Sequence, residues 1–241
     1  MSSPQPQSVP YKYFDLVMAF FVTILVVSNI ASSAKIVDPG FSLFGIRLAF
    51  DGGTILFPLA YVLGDILTEV YGFKAARRTI WAGFAALALS ALVFFVLRIL
   101  PPQADWEATT GTVAYNNVLG GMSTGGIVLA SLLAYLVGEF SNSVVLSKVK
   151  VLMKGKLYWV RSVGSSIVGH LLDTLVFISM ATVLGVFPRE IFLSLVLTNY
   201  LIKMAVEIVV YPVNYMSIHF LKKKEGIDVY DVGVKYNPVG R

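Results

Sequence analysis

Residues Thr79–Leu97 read TIWAGFAALALSALVFFVL, a run without a single charged side chain. A helix needs about 20 apolar residues to cross the hydrocarbon core of a bilayer. Five further runs are also long and apolar: Phe14–Ala34, Thr54–Val70, Gly125–Leu146, Val163–Phe187 and Ile191–Leu221. None shows the ten-residue alternation of a membrane barrel strand. The sequence therefore predicts an all-α, polytopic membrane protein with six transmembrane helices.

The composition of the whole chain supports this prediction. Of its 241 residues, 56% are hydrophobic and 14% are charged, whereas soluble domains contain about 25% charged residues. The mean hydropathy is +0.76. These values exclude soluble enzymes and nucleic-acid-binding modules, and the absence of cysteine excludes a disulfide scaffold. The net charge of +5 does not indicate a nucleic-acid partner, because the basic residues cluster in short loops between apolar runs.

The distribution of lysine and arginine predicts the orientation in the membrane. If the N-terminus is inside, the outer segments hold only four basic residues, Lys35, Arg47, Arg98 and Arg189, while the inner segments hold most of the rest. Cytoplasmic loops accumulate basic residues, so both termini are predicted to be cytoplasmic. We expect one membrane domain over residues 1–241, with a flexible N-terminal tail (1–12), a long outer loop (101–124) and a cytoplasmic C-terminal tail (222–241).

Seven ionisable residues lie inside the predicted spans: Asp65, Glu69, Glu139, His170, Asp173, Lys203 and Glu207. Six of them form three pairs at i,i+3 or i,i+4 spacing, which puts both members of a pair on one face of a helix. At about 1.5 Å of rise per residue, four fall in one layer roughly 9 to 15 Å above the cytoplasmic boundary: Asp65, Glu139, His170 and Asp173. Glu207 joins this layer if the boundary falls near Tyr215.

Counted together with Glu69, this layer contains five carboxylates against one lysine and one histidine, and they cannot all be ionised without partners. Protons, a cation or a ligand rich in hydrogen-bond donors must supply the balance. The alternative interpretation is structural. Lys203 then only pairs with Glu207 on its own helix, and Glu69 only lies at the interface near basic residues. His170 then only hydrogen-bonds to Asp173.

The second span and the segment after it carry a recognisable motif. Residues 57–72 read FPLAYVLGDILTEVYG, followed by AARR at 75–78, and this stretch resembles the signature of the bacterial queuosine precursor transporter family, also called the vitamin uptake transporter family. Further matches are SNI at 28–30, GEF at 138–140 and KEGIDVYD at 224–231. The likeness spans nearly the whole chain. It implies import of 7-cyano- or 7-aminomethyl-7-deazaguanine through the bacterial inner membrane for tRNA modification, and no enzymatic activity.

The chemistry of such a ligand agrees with the polar layer. A guanine-type base presents its ring N–H and exocyclic amine as parallel donors, which one carboxylate accepts with both oxygens, while an amide or imidazole serves the acceptors of the base. We predict the substrate-binding residues Asp65, Glu139, Asn142, His170, Asp173 and Asn29. We predict the gating or proton-coupling residues Lys203, Glu207 and Glu69. No catalytic residue, metal ligand or cofactor is expected. His170 stands where the family often has Gln or Glu.

The preferred interpretation is a proton-linked secondary carrier of a purine-like base. One alternative is the substrate-binding membrane subunit of an ATP-driven vitamin importer, in which another protein hydrolyses ATP because this chain has no P-loop. A remote alternative is an intramembrane hydrolase with Ser123 and His170, although the two residues are expected about 20 Å apart. The small size of the chain favours a homodimer without specifying its interface.

Overall fold

The computed structural model describes residues 11–37, 40, 42–43, 46–47, 50–123, 125–185 and 188–240. The α-helices of these residues are α1 (Phe14–Ala34), α2 (Phe57–Tyr71), α3 (Phe73–Ile99), α4 (Ala104–Thr109), α5 (Gly111–Ser123), α6 (Gly125–Leu152), α7 (Tyr158–Val183) and α8 (Phe192–Glu225). Short 3-10 helices cover Gly52–Ile55 and Arg189–Ile191. The predicted helical class is confirmed.

Between α1 and α2 the described residues also form four strands of two residues each: β1 (Ile36–Val37), β2 (Ser42–Leu43), β3 (Ile46–Arg47) and β4 (Phe50–Asp51). The strands β1 and β4 pair antiparallel with Ile36 opposite Asp51, and β2 pairs with β3 with Ser42 opposite Arg47. These two small pairs shape the connection and add no layer to the fold.

Among the described residues, five helical segments are long and apolar enough to cross a membrane: α1, α3, the stretch Gly111–Leu152, α7 and α8. This confirms five of the six predicted spans. The helix α7 starts before the predicted Val163, and the predicted end of that span, Phe187, lies outside the described residues. The predicted span Thr54–Val70 corresponds to α2, which has 15 residues and is about 22 Å long. The count of six spans stays a prediction, because α2 is shorter than the bilayer core.

The short helix α2 lies at the centre of the bundle. It packs against α1, α3, α6 and α8, and 12 of its 15 residues are buried, so its polar side chains face protein on nearly every side. Pro58 occupies its first turn, where a missing N–H costs no hydrogen bond. Gly72 ends it with a φ of 83°, a conformation that favours glycine, and α3 starts at the next residue.

The starts of α1, α3 and α7 and the ends of α2, α6 and α8 meet at one end of the bundle, which we call the basic end. Glu225 accepts hydrogen bonds there from the backbone N–H groups of Lys12 and Tyr13 at 2.9 and 2.7 Å. The predicted C-terminal tail begins inside α8, and residues 226–240 fold back onto this end. Apart from Tyr11 and Lys12, the predicted N-terminal tail lies outside the described residues.

The helices α6 and α7 form the most extensive packing of the bundle. A Cβ added at Gly138 would lie 2.6 Å from both the Cβ of Asp173 and the hydroxyl of Tyr61. A Cβ at Gly169 would lie 2.8 Å from the Cβ of Asn142. Small residues let membrane helices approach this closely. The two glycines therefore bring the polar faces of α6 and α7 together against Tyr61.

Candidate functional site

A cluster of buried polar side chains lies where α2, α6, α7 and α8 meet. We call it the central cluster and define it as Tyr61, Asp65, Glu139, Asn142, His170, Glu207 and Asn214. All seven have at most 3% of their surface exposed. Burial of this many polar groups in a membrane bundle is costly unless they have hydrogen-bonding partners. The hydrogen bonds of each member therefore indicate whether it has a structural role or is available to bind a ligand.

Asp65 is the best-satisfied member of the central cluster. Its Oδ1 accepts a hydrogen bond from the Asn142 side chain at 2.9 Å. Its Oδ2 accepts from Ser162 at 2.6 Å and from Asn214 at 3.3 Å. The three donors lie on α6, α7 and α8, so one carboxylate on α2 links all three helices. Hydrogen bonds of this kind to a carboxylate are among the stronger ones in proteins.

His170 and Glu207 form the second pair of the cluster. The Nε2 atom of His170 lies 2.9 Å from one carboxylate oxygen of Glu207, and Ser166 donates to the other at 2.5 Å. The Tyr61 ring packs against the imidazole, with ring centroids 4.1 Å apart. The structural alternative, in which the histidine bonds to Asp173 on its own helix, does not match these contacts. The pairing instead joins α7 to α8.

Glu139 differs from the other carboxylates of the cluster. It is 1% exposed, and neither of its oxygens has a hydrogen-bond partner among the described residues. Gly64 leaves room for it, since a Cβ there would lie 2.8 Å from the Glu139 Oε2. The carboxylates of Asp65, Asp173 and Glu207 are close enough to act on it electrostatically. Glu139 therefore requires a proton or a hydrogen-bond donor from outside the described side chains.

Four further atoms of the central cluster are buried without a partner among the described residues: the Tyr61 hydroxyl, Asn142 Oδ1, His170 Nδ1 and Asn214 Oδ1. The two amide oxygens and the two Glu139 oxygens can only accept hydrogen bonds unless the carboxyl is protonated. The cluster thus has a surplus of acceptors. Each unpaired buried group costs about 1–3 kcal/mol, so a molecule that offers several donors would be stabilised here.

A cavity of about 360 Å³ lies on the side of the cluster away from the basic end, and we call it the distal cavity. Lys203 and Asp173 line it and form an ion pair between α8 and α7. The Lys203 ammonium also lies 5.0 Å from the centre of the Phe57 ring. Asn29 lines the same cavity and accepts a hydrogen bond from Ser131 at 2.8 Å. Of the six predicted substrate-binding residues, Asp173 and Asn29 therefore face the distal cavity.

Glu69 does not lie in the central layer with whose carboxylates it was counted. Arg161 donates to its two carboxylate oxygens at 3.0 and 3.2 Å, and Lys222 donates to one of them at 2.6 Å. Lys150 lies 3.5 Å away. Glu69 thus belongs to an ion-pair network at the basic end. Three carboxylates share the central cluster rather than five, because one turn of α2 carries Glu69 beyond it and Asp173 lines the distal cavity.

A second cavity of about 750 Å³ opens beside this network, and we call it the basic-end cavity. Tyr158 lines it, and its hydroxyl lies 3.4 Å from the Asp65 carboxylate. On the other side, Asp173 lines the distal cavity, and both it and Tyr61 would touch a Cβ at Gly138. The central cluster therefore lies between two cavities, and each cavity is lined by a neighbour of a cluster member, Tyr158 beside Asp65 and Asp173 beside Tyr61. This arrangement suits a small polar molecule that binds in the middle of the bundle.

Several residues of the site were not predicted from the sequence. Ser162 and Arg161 precede the predicted start of the fifth span, so they were assigned to a loop. Asn214 follows Glu207 by seven residues, two helical turns, and this spacing could have found it. The side chain of Ser123, the nucleophile of the hydrolase alternative, lies outside the described residues, while its partner His170 is bonded to Glu207.

Comparison with known proteins gives one family and several relatives. The model of the family described as "Putative vitamin uptake transporter" matches residues 51–217. The "Probable queuosine precursor transporter" of Bacillus subtilis (strain 168) is 29% identical over 185 residues, 76% of this chain and 77% of the relative. The "Queuosine precursor transporter" of Escherichia coli (strain K12) is 24% identical over 208 residues, 85% of this chain and 88% of the relative. No solved structure matches the chain significantly.

Proposed function

The chain belongs to the vitamin uptake transporter family, and on that premise we propose that it imports queuosine precursors through the inner membrane of a bacterium. The cargo would be 7-cyano-7-deazaguanine, 7-aminomethyl-7-deazaguanine or a related purine-like base. The relatives named queuosine precursor transporter support a transport role and a membrane location. The proposed orientation has the basic end and both termini in the cytoplasm, which the accumulation of basic residues on that side supports.

The observation that carries this proposal is the surplus of acceptors in the central cluster. Glu139 offers two unpaired oxygens, and a guanine-type ring offers two parallel donors, its ring N–H and its exocyclic amine. Asn142 adds an unpaired amide oxygen, and His170 adds a ring nitrogen that can serve the carbonyl or a ring acceptor. Tyr61 provides an aromatic face beside them. A donor-poor vitamin would leave most of these acceptors unpaired.

The remaining predicted site residues take roles along the path of the cargo. Asp65 holds Asn142 in place through their hydrogen bond, and Asp173 and Asn29 meet the cargo in the distal cavity before it reaches the centre. The aminomethyl form carries a positive charge, and a carboxylate-rich centre suits it. Access would alternate between the two cavities around the fixed cluster.

Proton linkage is the second part of the proposal. Lys203 and Glu207 lie one turn apart on α8 but pair with different partners on α7, Asp173 and His170. A proton that moved onto either carboxylate would weaken one of these links between α7 and α8, and so bias the packing of the two helices. Glu69 at the basic end would act in gating.

The test of the cargo is a ligand panel on the purified, detergent-solubilised protein. A ligand that binds only the folded state raises its stability by about 2.7 kcal/mol at 100 times the dissociation constant. We expect a rise in melting temperature with the two deazaguanines, a smaller one with guanine, and none with an unrelated vitamin such as riboflavin. No rise with any purine, in protein that unfolds cooperatively, would refute the assignment of the cargo.

The energy source needs a separate measurement in proteoliposomes that contain only this chain. Uptake of a labelled deazaguanine that collapses when a protonophore removes the proton gradient supports a secondary carrier. No uptake in these proteoliposomes, with uptake restored when a co-purified ATPase is added, supports the alternative, the membrane subunit of an ATP-driven importer. The proposed homodimer is tested on the same preparation by light scattering with detergent correction.

A further inference from the structure

The segment that follows α8, residues 226–240, crosses the basic end as a strap. Asp231 is 8% exposed. Its Oδ2 accepts hydrogen bonds from the backbone N–H of Phe73 at 2.8 Å and from Ser147 at 2.6 Å. The first contact caps the start of α3, and the second reaches α6. The strap is therefore fastened to the ends of two helices on either side of α2.

The strap also inserts a carboxylate into the ion-pair network of Glu69. Asp228 accepts hydrogen bonds from Lys150 at 2.5 Å and contacts Lys222 at 2.8 Å. Lys150 donates in addition to the backbone oxygen of Val229 at 2.7 Å. Burial alone raises the pKa of Asp228, but the hydrogen bonds from the two lysines outweigh it and hold the pKa below its usual value. Asp228 is therefore a charged partner of both lysines.

Together these contacts form a five-member lock that joins every element around the basic-end cavity. Its members are Glu69 on α2, Lys150 on α6, Arg161 on α7, Lys222 on α8 and Asp228 on the strap. The lock contains three positive and two negative charges. Without the strap, three cations would surround Glu69 alone, and their mutual repulsion would favour separation of α6, α7 and α8.

The lock stands between the central cluster and the basic-end cavity. Glu69 lies one turn from Asp65 on α2, and Tyr158, which touches Asp65, stacks on Tyr211 with ring centroids 6.0 Å apart. These two tyrosines line the cavity together with Glu69 and Arg161. Tyr158 therefore lies between Asp65 of the central cluster and this cavity.

We infer that the strap is the latch of a gate at the basic end, and that Asp228 keeps the gate closed by holding Lys150 and Lys222 together across Glu69. The inference rests on the proposed transport function and adds a residue outside the transmembrane helices to its machinery. In the closed state the lock ties four helices together. When Asp228 leaves, the two lysines repel each other and the basic-end cavity opens toward the centre.

The test uses thiol accessibility, because the chain contains no cysteine and any introduced thiol is unique. Ile218 lines the basic-end cavity and is 3% exposed, so Ile218→Cys reports opening by its rate of reaction with a bulky maleimide. In this background, Asp228→Asn should raise the rate roughly fivefold, the equilibrium change expected when two ion pairs with a 40% exposed carboxylate are lost. Asp228→Glu should restore slow labelling, and Asp15→Asn, an exposed acid at the same end, should leave the rate unchanged.

A second thiol separates gate opening from general loosening. Ala130 is fully buried on the part of α6 near the distal cavity, so Ala130→Cys should stay unreactive in the Asp228→Asn protein. Equal acceleration at both thiols, or the same Ile218→Cys rate in Asp228→Asn and Asp15→Asn, would overturn the latch. Ligand binding is measured separately by melting temperature. If no deazaguanine stabilises the wild-type protein, the proposed cargo fails while the labelling result still decides the latch.

Discussion

Replacing Glu139 by Gln removes the negative charge whose two oxygens lack partners among the described residues. The amide has nearly the same shape, so the packing against Gly64 is kept. Its oxygen still accepts one hydrogen bond from a bound base. Its NH₂ group, however, can only donate, so it cannot accept the hydrogen bond that the second donor of the base offers. The substitution thus changes the ability of this side chain to accept two hydrogen bonds from a ligand and leaves the packing of the core unchanged.

The expected magnitude follows from this loss of one acceptor. A hydrogen bond to a charged group contributes about 1.5–3 kcal/mol, so the dissociation constant for a deazaguanine should rise about 10- to 150-fold. The ligand-free protein should behave in the opposite way. Because the buried carboxylate has no donor to lose, its neutralisation removes a cost, and the melting temperature should stay at or above that of the wild type.

The assay is calorimetric titration with 7-cyano-7-deazaguanine, together with melting of the ligand-free protein. Glu190→Gln, the same change at an exposed position, is the control and should alter neither quantity. Wild-type affinity in Glu139→Gln would refute its role in binding. A fall of many degrees in the melting temperature of the ligand-free variant would show instead that Glu139 has a structural partner, and the argument from unpaired acceptors would fail.

Three further predictions test the surroundings of the cluster. Arg161→Met should destabilise the protein by about 3–5 kcal/mol, since it takes a buried partner from Glu69. The free energy of unfolding is measured by denaturant melting, and Lys154→Met, at an exposed position of the loop that precedes α7, is the control. Gly169→Ala should weaken ligand binding and cost about 1–3 kcal/mol of stability, because its Cβ would lie 3.1 Å from the Tyr61 ring. The pKa of Asp228 is lowered in the folded state, so its stabilising effect is full above the ordinary value of about 3.8 and is lost only as the pH falls through the lower folded value. The difference in melting temperature between wild type and Asp228→Asn should therefore be constant from pH 8 to about pH 5 and shrink below pH 4.

The helices were predictable because the bilayer imposes a length on apolar runs. The helix α1 coincides with its predicted run, and α3 and α6 contain theirs. The errors occur where charged residues continue a helix beyond its apolar part, as at Arg161 near the start of α7. A basic residue at the end of an apolar run usually indicates that the helix has ended and a loop has begun. Arg161 can continue the helix because its charge is paired with the buried Glu69. This pairing could not be predicted, because Glu69 lies far from Arg161 in the sequence. The outer segment 101–124 was predicted as a loop and contains α4 and α5.

The buried ionisable residues were also predictable, but their partners were not. Helical spacing shows which residues share a face and says nothing about which face of a neighbouring helix meets it. Lys203 and Glu207 share a face of α8, yet they bond to Asp173 and His170 on α7 rather than to each other. The crossing of α7 over α8 decides this, and that crossing depends on tertiary packing.

The same packing explains why the charge imbalance falls at the centre of the bundle. At the basic end, Glu69 has three cationic neighbours, and beside the distal cavity Asp173 has Lys203. At both of these places the carboxylate is therefore neutralised by cations of the protein itself. Only the layer between them holds a carboxylate, Glu139, without an internal donor among the described residues. The balancing donors must come from outside the described side chains, and under the proposed function this makes the centre, rather than either end, the place where the cargo is recognised.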